Sequence, residues 1–73
     1  MVVGMDASWA EARDQLRDVP VSDLRLMLAD NVAEHKALRE AGHGPGMQAF
    51  DDNSLFYLVL LAAFEERGID PWT

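Results

Sequence analysis

Apolar side chains recur every three or four positions over two stretches of the chain and fill a third almost without a break, a pattern that predicts three helices and no strand. The first opens at Ser8-Trp9-Ala10-Glu11, where a serine can cap the helix start and a glutamate three residues on can reach back to its amide. It is expected to run from Trp9 to about Asp18, with Trp9, Ala12, Leu16 and Val19 on a narrow stripe, and to stop at Pro20. The second starts at Ser22-Asp23 and meets neither proline nor glycine before Gly42, a length of about five turns. At about 100° per residue, Leu24, Met27, Leu28, Asn31, Val32, His35 and Leu38 share an arc of ~140°, the width of a core-facing stripe. Across from it, Ala29, Ala33, Ala37 and Ala41 recur every four residues beside Leu26, a ridge of small side chains on which another helix can approach closely.

Gly42-His43-Gly44-Pro45-Gly46 supports neither helix nor strand and reads as the hinge of a helical hairpin. Asp51, Asp52, Asn53 and Ser54 combine capping side chains with negative charge, which suits the positive end of a helix, so the third helix is expected over Leu55 to Arg67. Leu55 to Phe64 is apolar on every side. Two other helices of a chain this short can hardly cover it, which predicts a shared surface with a second copy. Ile69 follows Gly68, where an apolar residue commonly folds back on the last turn, and Trp72 is either a clasp or an exposed anchor. The fold expected is all-α, one domain over residues 1–73: a hairpin of helices two and three with helix one across it. Its core is Leu24, Leu28, Val32, Leu38, Leu58, Leu61 and Phe64, with Trp9 as an anchor.

Composition narrows the function classes. With 73 residues there is room for one domain, and 49% hydrophobic against 26% charged residues is the balance of a folded chain. A net charge of −7 argues against nucleic acid or anionic membrane as a direct partner. Cysteine is absent, which removes disulfides, thiolate metal sites and a cysteine nucleophile. Met1 to Met5 lacks the features of a signal peptide and the longest apolar run is half a membrane span, so a cytoplasmic location is expected.

Candidate chemistry is sparse. Asn31 and His35 lie one turn apart on an apolar stripe, as a register-fixing pair or as a pH-sensitive contact. His35, His43, Glu34 and Asp51-Asp52 match no usual metal spacing, the glycine loop lacks the ending of a phosphate cradle, and no catalytic triad pattern occurs. No metal, no cofactor and no enzyme activity are therefore expected. Asn53-Ser54-Leu55, leading into an apolar helix that ends Phe64-Glu65-Glu66-Arg67-Gly68-Ile69-Asp70-Pro71, resembles the segment of carrier proteins in which a serine bears a phosphopantetheine arm at the start of a helix. That resemblance implies a modified Ser54 and an acidic docking face after it.

The leading expectation is a non-catalytic protein-interaction module that forms a homodimer and binds or modulates a protein partner. Leu26, Ala29, Ala33, Ala37, Phe56, Tyr57, Leu60 and Trp72 are its contact residues. The alternative is an acidic decoy or inhibitor of a nucleic-acid-binding protein that uses Asp51, Asp52, Glu65, Glu66 and Asp70.

Overall fold

The computed structural model describes residues 11–72 and is all-helical over them. Helix α1 is described over 11–16, α2 spans Val21–Glu40 and α3 spans Gln48–Glu66. The proposed cap at Ser8, the anchor Trp9 and the segment Met1 to Met5 lie outside the described residues. Helices α2 and α3 pack along their lengths as the expected hairpin, and α1 packs against α3.

Helix α2 begins directly after Pro20, whose φ of −58° and ψ of 147° set the chain at the helix entrance. The first ring closes with Leu24 N–H donating to the Pro20 carbonyl, and no side chain caps it. At the other end Gly42 takes a φ of +90°, His43 N–H donates to the Leu38 carbonyl and Gly42 N–H to that of Arg39. This is the paired bonding of a Schellman ending, which needs a residue free to turn left-handed. Helix α3 ends the same way. Gly68 has a φ of +66°, Ile69 N–H reaches Phe64, Gly68 N–H reaches Glu65, and Ile69 folds back onto the core as its position predicts.

Helix α3 starts two turns earlier than expected, at Gln48 rather than Leu55. Asp51, Asp52, Asn53 and Ser54 are therefore helical residues and not a boundary. Their types favour a helix start only when nothing upstream can propagate the helix, and from Met47 to Arg67 there is neither glycine nor proline. The added turns make α3 nearly as long as α2, so the hairpin pairs over its full length.

The core is Leu16, Leu24, Leu28, Val59, Leu60, Ala63 and Phe64. Of the expected core residues, Leu24, Leu28 and Phe64 are buried, and Leu38 and Leu61 are half-buried. Val32 and Leu58 are 43% and 52% exposed, which corrects that part of the reading. The contact line on α2 runs through Leu24, Leu28 and Asn31, and Val32 falls on its flank; on α3, Leu58 faces away from Leu60 and Phe64. An uninterrupted apolar run carries no polar face from which its inward side can be read. One chain also hides more of Leu55–Phe64 than the pattern suggests, since only Leu58 in that run is exposed.

Helix α1 is held by Arg67, whose Nη2 donates to the carbonyls of Leu16 and Arg17 at 2.7 and 2.8 Å. A guanidinium there adds a second donor to the Leu16 carbonyl, which also accepts from Val19 N–H, bonds the Arg17 carbonyl, and meets the negative end of the helix dipole. Arg13 pairs with Glu66 on the same flank of α3, and Leu16 inserts into the core.

Candidate functional site: an open groove beside a buried asparagine pair

Asn31 on α2 and Asn53 on α3 are 6% and 4% exposed and meet where the helices touch. Asn31 Nδ2 donates to the Asn53 carbonyl, and Asn53 Nδ2 donates to the Asn31 carbonyl, both at 3.2 Å. Asn53 Nδ2 also donates to Glu34 Oε1 at 2.8 Å. Each amide thus grips the backbone of the opposite helix through the carbonyl's second lone pair, which leaves the helical hydrogen bond in place. The two amide oxygens are enclosed without a hydrogen-bond partner. A slip by one residue would break both reciprocal bonds, so the pair fixes the register of the hairpin.

The partner of Asn31 is therefore Asn53, not His35. The His35 ring lies 4.9 Å from that of Phe50, tilted by 45°, and His35 is half-buried. The expected pair is two separate contacts, and the register device acts inside one chain.

Alongside the asparagines an open groove of ≈ 450 Å³ runs between α2 and α3. Its walls are Val32, Tyr57, Leu58 and Trp72, and its polar side is Asn31, His35, Asn53 and Ser54. Trp72 is 62% exposed and lies over one end, its ring 6.4 Å from that of Tyr57. The tail that carries it is tied down. Arg25 Nη1 donates to the Pro71 carbonyl at 3.3 Å, the Arg25 guanidinium sits 5.7 Å above the Phe64 ring, and Trp72 N–H donates to Asp70 Oδ1. Trp72 is thus held at the groove by its backbone while its ring stays open to solvent.

The other expected contact residues scatter. Leu26, Ala29, Ala33 and Ala37 are exposed on α2 and Phe56 is half-buried, packed against the core. Leu60 is fully buried in this single chain and has no surface to offer, because it lies on the contact line with α2. Asp51, Asp52, Glu65, Glu66 and Asp70 are all exposed. Asp51 accepts from Gly46 N–H, Glu66 pairs with Arg13, and Asp70 accepts from Trp72 N–H. Asp51 and Glu65 stand ~21 Å apart along α3 with the apolar run between them, so the acids form two ends rather than one continuous patch. Ser54 is half-buried inside α3 on the groove wall, not at a helix start as the carrier-protein resemblance implies.

Among the described residues no cluster of three or more His, Asp or Glu is placed to hold a metal. No described helix is long and apolar enough to cross a membrane.

Periodicity did not find Asn53, Arg25 or Arg67. A signal for Asn53 was present, since Asn31 and Asn53 lie equally far from Gly42 and such positions come level in an antiparallel hairpin. Compared with protein-family models, with curated proteins and with solved structures, the chain has no match.

Proposed function

We propose that the protein is a small non-catalytic helical module that works by protein–protein contact, self-associating through the open side of its hairpin. The observation that carries this reading is the groove between α2 and α3, where three of the exposed large apolar side chains, Val32, Leu58 and Trp72, lie together, while Leu26 and Met47 are exposed outside it. Clustered apolar exposure next to a rigid backbone is the usual form of a contact surface. The groove residues belong to two helices locked in register, so the surface is preformed and loses little freedom on binding.

Sedimentation velocity from low to high micromolar concentration tests the reading. The expected result is a reversible rise from monomer to dimer mass, abolished by Leu58→Glu with the helical circular dichroism unchanged. A monomer mass throughout that range overturns it.

A further inference from the structure

The groove side of the hairpin has a charge pattern that is complementary to itself. On α2, Arg25, Val32, Lys36 and Arg39 fall within ~60° of one another about the helix axis. Val32 lines the groove, which continues past Lys36 and Arg39 at one end and past Arg25 and Trp72 at the other. On α3, Asp51, Ser54, Leu58, Leu61 and Glu65 fall within ~80°, with Ser54 and Leu58 on the groove wall. One open face therefore presents a mainly basic helix, on which Glu40 also lines the end with Lys36 and Arg39, beside an acidic one, with an apolar strip between. Lys36, Arg39 and Glu65 are exposed and take part in none of the ion pairs among the described residues. The opposite flank of α3, at Ala63 and Glu66, is the one that α1 occupies through Arg13 and Leu16.

Resting on the self-association proposed above, the geometry points to a specific mating: a second copy covers this face about a two-fold axis parallel to the helices, with α2 of each copy over α3 of the other. Two ways of closing the face differ in what they oppose. An axis across the helices lays α2 on α2 and α3 on α3, setting Lys36 and Arg39 against basic residues and Asp51 and Glu65 against acidic ones. An axis along the helices lays basic on acidic in both halves at once, because a two-fold contact repeats itself. The asparagine pair fixes the heights: with residue 31 level with residue 53, Lys36 of one copy comes within about one turn of Asp51 of the other. The product is a four-helix bundle whose apolar seam is Val32, Leu58, Leu61 and Trp72. Two helices ~30 Å long and ~10 Å apart offer on the order of 600 Å² per copy, near the lower bound for a specific interface, so the dimer is expected to be weak and reversible.

The cysteine-free chain makes the test direct. Lys36→Cys and Asp51→Cys chains are mixed and oxidised gently, and the products are separated by mass. The expected result is a heterodisulfide between the two variants in excess of either homodisulfide; α2-on-α2 mating instead sets residue 36 opposite about residue 25 of the other copy and gives no such excess. In the reduced state, Lys36→Glu and Asp51→Lys are each expected to weaken dimerisation roughly fivefold, and the double swap to recover most of it. A dimer that forms no excess of the heterodisulfide, or that is indifferent to both charge changes, overturns this mating and leaves self-association standing. A chain that never dimerises overturns both.

Discussion

Replacing Asn53 by aspartate probes the hairpin at its tightest polar point. The two side chains have the same shape, so no cavity opens, and the change is one of hydrogen-bond sense and charge. Asn53 donates to the Asn31 carbonyl and to the Glu34 carboxylate. The first bond is worth about 1 kcal/mol and a bond to a charged group about 1.5 to 3 kcal/mol. Aspartate loses both and sets a carboxylate against a carbonyl oxygen and a second carboxylate at a site 4% exposed. The combined cost is about 3 to 5 kcal/mol, comparable with the whole stability expected of a domain this size. Asn53→Leu loses the same donors, about 2.5 to 4 kcal/mol, but buries no charge and gains apolar burial of about 1.5 to 3 kcal/mol, so its net cost is expected to be about 1 to 2 kcal/mol.

The pH dependence has a definite sign. Burial and the nearby carboxylate raise the folded-state pKa of the introduced aspartate above its unfolded value of about 3.9. Below that value both states are neutral and the charge penalty is absent; it grows as pH rises and is complete above the folded-state pKa. Urea unfolding followed by circular dichroism, with wild type, Asn53→Asp and Asn53→Leu at one protein concentration from pH 4 to neutrality, measures it. If Asn53→Asp and Asn53→Leu lie within about 1 kcal/mol of each other at neutral pH, or if their gap does not shrink on acidification, the reciprocal pairing is refuted.

Gly68→Ala is expected to destabilise by about 1 kcal/mol in urea unfolding, because Gly68 has a φ of +66° while nothing lies within 4 Å of an added Cβ. The cost is thus conformational alone, and Gly68→Asn should recover part of it. Arg67→Met keeps much of the apolar stem but removes the donor to Leu16 and Arg17, so faster amide exchange over 11–17 should accompany a loss of about 1 to 3 kcal/mol. Leu24→Ala, at a site with no exposure, is expected to cost about 2 to 5 kcal/mol and leave little folded protein.

The hairpin was legible because its punctuation is unambiguous. Gly42 and Gly68 both end helices in the left-handed turn that their positions predict, and Leu24 and Leu28 lie on a stripe of large apolar residues recurring at helical spacing. The start of α3 was not, because Asp51 to Ser54 are as compatible with a first helical turn as with a cap. The inward side of α3 was hidden for a related reason: with Leu55 to Phe64 apolar all round, only the partner helix decides that Leu60 goes in and Leu58 out. The groove follows from that choice of phase. Asn31 stands out in the sequence as a conflict on an apolar stripe, but its resolution lies in Asn53 on another helix, a residue whose type reads as a helix boundary.

The clamp between the helices has an evolutionary corollary. Each asparagine contributes twice, once with an amide arm and once with a main-chain oxygen that any amino acid would supply. Losing one arm therefore leaves the other still holding its target. Chains descended from this one could shed the fastening one half at a time, and a lineage with a single asparagine at either position would keep the alignment of the two rods.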